Sequence, residues 1–259
     1  MAFFSPKKKA PVEGLVVSLT SFPERFSTLS LTLKSLFMQA NVRPEQIVLF
    51  LAKGDADMLP GNVLKLRRWG LKVREVENDY KSYNKLIHAL QLFPNHNIVT
   101  VDDDVCYPAE LLQALLKGVK DHPGAVVCWR GHEFGEIGPR NFKPYSDWSF
   151  WTEHVGPSNR IWFTGKGGVL YSPGSLCPAV NNADLFLRLA PTADDVWFNW
   201  MARMANTPIV RSGGNYKFPS WKVSQQITLS RNNSPAGGGN DKAIIRMAAH
   251  FGQPWLDSE

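Results

Sequence analysis

Two acidic clusters carry the chemistry that this sequence offers. Asp102, Asp103 and Asp104 stand in a row within NIVTVDDDVCYP, residues 97–108. Adjacent carboxylates repel one another, and capping a helix or turn needs only two. Oxygen-only side chains suit a hard divalent cation, Mn²⁺ or Mg²⁺, bound together with a phosphorylated ligand. The bland alternative is a solvated turn whose Asp side chains bond the local backbone. A second pair, Asp194 and Asp195, falls within PTADDVWFNWMARM. Thr192 to Asp195 has a capping-box pattern, which explains one acid and leaves one spare. A carboxylate beside a substrate pocket can deprotonate a hydroxyl. Lys81 and Lys85, in DYKSYNKLIHAL, lie four apart. They share a helical face if the helix starts early enough, as phosphate ligands or as a solvated basic edge.

The elements around these residues read as alternating strands and helices. Ile98 to Val101 is a short apolar strand running into the first acid cluster, and Pro108 suits the first turn of the helix carrying Leu111, Leu112, Leu115, Leu116 and Val119. Upstream, strands are expected at Gly14–Leu19, Gln46–Leu51 and Leu71–Val76, with helices at Leu29–Met38 and Leu59–Trp69. Ser82 is a cap for the helix bearing Leu86, Ile87 and Leu90. Downstream come strands at Ala125–Arg130 and Ile209–Arg211 and short helices around Asp184–Leu189 and Pro191–Met204. This alternation predicts an α/β fold, doubly wound around a mainly parallel sheet. Ligands of such sheets bind outside the carboxyl ends of the strands, where Asp102 would sit.

The 259 residues, 44% hydrophobic and 20% charged, suffice for a sizeable core. No apolar run reaches the length of a membrane span, and MAFFSPKKKAP lacks signal-peptide form, so a soluble, unsecreted protein is expected. Three scattered cysteines, Cys106, Cys128 and Cys177, suggest neither a disulfide framework nor a zinc site and fit a cytoplasmic setting. A net charge of +6 favours anionic partners. Nucleic acid is not indicated, because no basic stripe or nucleic-acid motif accompanies that charge. Lys7, Lys8 and Lys9 read as a solvated tail or a weak contact with an anionic membrane surface.

Between Gly131 and Trp162 regular periodicity is lost, and Phe134, Phe142, Tyr145, Trp148, Phe150, Trp151 and Trp162 accumulate. Rings with polar neighbours suit a sugar cleft, although any single ring is better read as core. GKGGVLY, residues 165–171, is a glycine turn entering a strand rather than a phosphate loop. His132 and His250 are the histidine candidates for a metal contact, each more simply structural. The SRNNSPAGGGN stretch reads as a loop or lid, followed by a helix from Asp241 to His250 capped by Asn240 or Asp241.

SLTSFPERF, KSYNKLIHAL, IVTVDDDVCYP, GKGGVLYSPG and ADDVWF, in that order, resemble bacterial GT-A glycosyltransferases of the family 2-like type found in polysaccharide and lipopolysaccharide biosynthesis. The resemblance runs from about Gly14 to Asp194. It implies a tail over residues 1–12 and one GT-A (Rossmann-like) domain over 13–259, with a nucleotide-binding half to about 130 and an acceptor-binding half beyond. DDD would play the DXD part. Asp104 would coordinate Mn²⁺ or Mg²⁺ bridging the donor diphosphate, Asp102 would lie toward the ribose or that metal, and Asp103 would contact the nucleotide beside them. Thr20, Arg25, Lys81 and Lys85 would line the nucleotide. Asp194 or Asp195 would be the base of an inverting transfer of one sugar from a nucleotide sugar, UDP-linked, to a glycan or lipid-linked glycan. QxxRW is absent and no membrane helices follow the core, so a processive synthase is not implied. The implied location is cytoplasmic, peripheral at the inner face of the membrane. Two other readings stay open: a non-catalytic glycan- or nucleotide-binding module of the same fold, and nucleotidyl transfer, for which SLTSFPERF lacks the expected glycine- and arginine-rich signature.

Overall fold

The computed structural model describes residues 9–136, 142–214, 216–221 and 238–254. Its strands are β1 (Val12–Thr20), β2 (Pro44–Ala52), β3 (Leu71–Val76), β4 (Asn97–Thr100), β5 (Val126–Cys128), β6 (Gly131–Glu133), β7 (Ile161–Phe163), β8 (Val169–Tyr171) and β9 (Ile209–Arg211). The helices are α1 (Phe26–Phe37), α2 (Gly61–Leu64), α3 (Asn84–Leu92), α4 (Leu111–Asp121), α5 (Ala183–Leu189), α6 (Asp194–Met204) and, last, α7 (Gly239–Phe251). Seven strands form one sheet in the order β3-β2-β1-β4-β8-β5-β9, and β6 pairs with β7 alone. Every pairing in the large sheet is parallel except those of β8, which runs antiparallel to β4 and β5.

Near-continuous apolar strands fit a sheet covered on both faces. Leu15, Val17 and Leu19 of β1 pack with Leu29 and Leu33 of α1 and Leu111 and Leu115 of α4. The intervening Val16 belongs to the opposite layer, with Leu86 and Ile87 of α3, Trp197 and Trp200 of α6 and Ile244 of α7. The alternation is the period of an extended chain. At the sheet centre β1 lies parallel to β4 with Ser18 opposite Thr100. From β1 the chain moves toward β2, and from β4 toward β5, so the carboxyl ends of β1 and β4 border the crevice where strand order reverses. The first acid-bearing turn leaves β4 at that crevice.

Helix α6 is docked by polar groups as well as by its tryptophans. Asn199, fully buried, accepts from Phe163 N at 3.3 Å and donates to Phe163 O at 2.9 Å, imitating a neighbouring strand along β7. Arg203 donates to Asn199 Oδ1 at 2.9 Å and to the carbonyls of Asn159 and Ile161 at 2.9 and 2.6 Å. Burial lowers its pKa to about 9. These bonds fix where α6 begins.

Several local expectations change. Helix α3 starts at Asn84 with Tyr83 as its N-cap, so Ser82 does not cap it. Asn84 instead accepts the amide of Tyr80 at 2.8 Å. Pro108 precedes α4 rather than entering its first turn, since α4 begins at Leu111. Neither Asn240 nor Asp241 caps α7, which starts earlier at Gly239; Asp241 accepts from Tyr145 N at 2.8 Å. Most of the glycine-rich loop, 222–237, lies outside the described residues, as do residues 1–8. Of the loop aromatics, Phe134, Trp148 and Trp162 join the core, whereas Phe150 and Trp151 stay 46% and 40% exposed. Among the described residues no helix is long and apolar enough to cross a membrane.

Replacing Asn199 by Leu keeps the branched shape but removes the polar partner of the Phe163 amide and carbonyl and one acceptor of Arg203. It should cost about 3 kcal/mol, because desolvated groups are left unpaired. A urea midpoint within error of the parent protein would refute this.

Candidate functional site

The turn after β4 splays its three acids. Asp103 turns toward the β1 exit, where Ser21 Oγ donates to it at 2.6 Å and Arg25 Nη1 at 2.6 Å, while Thr32 Oγ1 holds its carbonyl at 2.9 Å. Burial pushes its pKa up to about 6 against the pull of Arg25 and Ser21. Asp104 stands 3.5 Å from the same Arg25 nitrogen. Asp102 points elsewhere, accepting from Lys85 Nζ at 2.9 Å, while its amide bonds the Tyr107 hydroxyl at 2.8 Å. Its burial is outweighed by the Lys85 charge and hydrogen bond, so its pKa lies below the usual carboxylate range.

Lys85 joins the two acid motifs. Its side chain, 7% exposed, also lies 3.1 Å from Asp194 Oδ2 at the start of α6. Burial opposes its charge, but Asp102 and Asp194 more than compensate and raise its pKa well above the ordinary lysine value. Ser18 on β1 donates to the Lys85 carbonyl, which ties this turn of α3 to the sheet.

Asp195 faces the glycine turn. Gly165 N donates to its Oδ1 at 2.9 Å. A side chain on Gly165 would place Cβ 3.0 Å from both Asp195 Oδ1 and Lys85 Nζ and 3.6 Å from Asp102 Oδ1. GKGG therefore lies in the site, as the backbone that lets three charged side chains converge. Burial and then the Asp194 charge push the Asp195 pKa up to about 7.

Each anticipated residue now has a place. Asp102, Asp103, Asp104, Arg25, Lys85, Asp194 and Asp195 come together. Lys81 does not share a helical face with Lys85, because it sits in a tight turn before α3 with φ +58°. It pairs with Asp79 and its side chain is 77% exposed. Thr20 spends its hydroxyl on Phe50 O at 3.0 Å, closing the end of β1 against β2. The capping box at Thr192 is not formed; Ala193 is the N-cap of α6, without a side-chain bond. His132 is buried and accepts from Trp151 N at 3.3 Å through Nδ1, and His250 lies exposed on α7. Ser21, Tyr107 and Gly165 are the additions; Ser21 and Tyr107 lay in stretches already singled out for the ligand, and Gly165 did not.

Among the described residues no group of three or more His, Cys, Asp or Glu forms a ready cage for a metal. The donor chemistry nevertheless fits a hard divalent ion. Five carboxylates face two ion-pairing cations, Arg25 and Lys85, and an ion held by Asp102 and Asp104 would need only phosphate oxygens and water to complete its shell.

No protein-family model matches the sequence, and no curated protein matches it either. Solved structures do. S. aureus TarS 1–349 is 16% identical, with a TM-score of 0.54 over 91% of this chain and 72% of that one. The Pyrobaculum calidifontis mannosyltransferase PcManGT, in complex with GDP-Man and Mn²⁺, is 14% identical at a TM-score of 0.50, covering 98% and 81%. Glucosyl-3-phosphoglycerate synthase from Mycobacterium tuberculosis, in complex with Mn²⁺, UDP and glucosyl-3-phosphoglycerate, is 12% identical at 0.51, covering 90% and 78%. The chain has the GT-A fold. Within this GT-A fold the acid turn follows β4 and the second acid pair opens α6.

Lys85→Met removes the shared cation. Its folded pKa is raised, so its contribution is complete at neutral pH and vanishes only above that raised value. The variant should lose about 3 kcal/mol at pH 8, with the deficit shrinking toward pH 5 as the stranded carboxylates take up protons. Urea unfolding at both pH values decides this; an equal deficit at each would mean packing, not charge.

Proposed function

We propose that this protein is a metal-dependent, inverting glycosyltransferase that moves one sugar from a nucleotide sugar, UDP-linked, to a hydroxyl of a surface-glycan acceptor, free or lipid-linked. The observation that carries this reading is the meeting of Asp102 and Asp195 around Lys85 and Gly165. A ligand-binding module needs no proton acceptor near pH 7 beside its metal-type carboxylates. The UDP and UDP-GlcNAc complexes of TarS and the GDP-Man and Mn²⁺ complex of PcManGT support the donor class. The net charge of +6 and the Lys7–Lys9 run support a cytoplasmic enzyme working peripherally at the inner, anionic face of a membrane.

In this reading each residue has a role. Arg25 holds Asp103 and flanks Asp104, which orients the turn. Asp102 and Asp104 would hold a divalent ion, which would supply Lewis-acid stabilisation of the leaving nucleoside diphosphate. Lys85 keeps Asp102 and Asp194 close without mutual repulsion. Asp195 takes the acceptor hydroxyl proton as the oxygen attacks the anomeric carbon, and its pKa of about 7 suits that task near neutrality. Asp194, engaged by Lys85, is the less available of the pair.

Titration calorimetry with UDP, GDP and CMP, each with Mn²⁺ and with EDTA, tests the reading. UDP should bind only with the metal, and Asp104→Ala should abolish that dependence. Absence of binding to all three would favour a non-catalytic glycan binder.

For Asp195→Asn we expect turnover to fall 10²- to 10⁴-fold with UDP affinity retained. In the parent enzyme kcat/KM should rise as pH climbs through about 7. Stability should move the other way: between pH 5 and 8 the folded protein binds the Asp195 proton more tightly than the unfolded chain, so ionising it destabilises the fold. The Asn variant should therefore melt a few degrees above the parent at pH 8 and near it at pH 5. A full transfer rate in this variant would remove Asp195 from the mechanism.

A further inference from the structure

Arg130, just after β5, is unlike the other enclosed arginines. Arg25 is neutralised by Asp103 and Asp104, Arg203 donates to backbone carbonyls and Asn199, and Arg211 donates to the carbonyls of His154, Gly213 and Glu153. Arg130 donates through Nε to Thr164 Oγ1 at 2.8 Å, and its terminal nitrogens meet no acceptor among the described residues. No carboxylate pairs with it there, although burial disfavours its charge and lowers its pKa. Arg130 is only half-buried, so its fork reaches solvent with no protein acceptor and is open to a bidentate oxyanion.

Its surroundings are built to present that fork. Thr164 adjoins Gly165, whose amide holds Asp195. A Cβ on Gly167 would fall 2.6 Å from Arg130 Cβ, so glycine lets the glycine turn and the segment after β5 come this close. The guanidinium lies 5.0 Å from the centre of the Trp151 ring. Trp151 has φ +61°, a left-handed conformation unusual for a bulky residue, and its amide is held by His132 Nδ1 at 3.3 Å. Burial and then the neighbouring Arg130 charge lower the His132 pKa to about 3, so the ring stays neutral and able to accept. Trp151 also stacks on Phe218, with ring centres 6.1 Å apart, and still leaves 40% of its surface open. Backbone strain held by this many contacts marks a residue placed for a ligand.

We propose that Arg130 and Trp151 form an oxyanion-recognition site for the acceptor: the fork takes a phosphate or carboxylate carried by the acceptor, and the indole takes an adjoining sugar face. This rests on the glycosyltransferase reading and narrows the acceptor to an anionic saccharide. An acceptor held there presents its hydroxyl to the Asp195 side of the glycine turn. The other oxyanion that could fill the fork is the donor diphosphate, and the two sources separate experimentally.

Glucose 6-phosphate, glucuronate and glucose are the probes, titrated by calorimetry into the full chain alone and then with UDP and Mn²⁺ present. The charged sugars should bind at least tenfold tighter than glucose. Arg130→Gln should lose that preference tenfold or more, with the UDP dissociation constant changed less than twofold; Trp151→Ala should weaken charged and neutral sugars alike. Arg130→Lys retains the charge without the fork and should recover part of the affinity, which a purely structural role would not produce. Weakened UDP binding in Arg130→Gln would assign the fork to the donor and overturn the proposal. Equal binding of charged and neutral sugars by the parent protein would overturn it too. Failure of UDP to bind the parent protein, with the charged-sugar preference intact, would refute the glycosyltransferase reading and leave the anion site standing.

Discussion

The ion pairs of Lys85 with Asp102 and Asp194 are the constraint on which the site depends. Asp102 belongs to a turn leaving β4, Asp194 to the first turn of α6, and the sequence separates them by more than ninety residues. Carboxylates brought this close in a water-poor space repel strongly unless a cation stands between them. A lysine from α3 supplies that charge on a stem long enough to cross from the helix, and the helix is anchored to β1 by the Ser18 bond. Three elements are thus registered on one ammonium group. Desolvating that group is costly, and the fold accepts the cost because two acids flank it.

The arrangement remains short of positive charge, and that shortage has a direction. Around Asp103 the charges are well matched, since Arg25 and Ser21 both donate to it. Around Asp195 they are not, because its neighbours are Asp194, an amide and a lysine already engaged twice. The helix N-terminus favours an ionised carboxylate there, yet enclosure and Asp194 outweigh it and the pKa rises to about 7. One end of the cluster is therefore balanced in charge and the other is not. The fold holds Asp195 in a state that costs stability, which fits the role of base proposed for it.

The sheet was legible because its signals are local. Apolar runs such as VLFLA and NIVT allow little but buried strands, and α4 and α6 carry their apolar stripes at helical spacing. Asp102 and Asp194 could be singled out because acids at the ends of apolar elements lack a packing role. What joins them was not legible. Lys81 and Lys85 look equivalent in sequence, and only the left-handed turn at Lys81 sends one to solvent while the helix starting at Asn84 carries the other inward. Gly165 gave a weak signal because its importance lies in what surrounds it, and the loop aromatics divide between core and surface according to β6 and β7 pairing, a long-range event.

The splay of the three aspartates explains why the run contains three. Past the end of β4 the chain turns at Asp103 and Asp104, and the turn carries both toward Arg25 and away from the surroundings of Asp102. Asp103 faces β1 and binds Ser21 and Arg25, which clamps the exit of β1 to the exit of β4. That clamp spans the point where strand order reverses, where open α/β sheets generally bind their ligands. With the middle acid committed to the scaffold, its neighbours are aimed by a turn that cannot rotate without breaking the clamp. Asp102 then meets Lys85, and through it α6. The orientation of Asp102 and of the α6 start follows from the ion pair of Arg25 with Asp103, and neither acid cluster alone determines it.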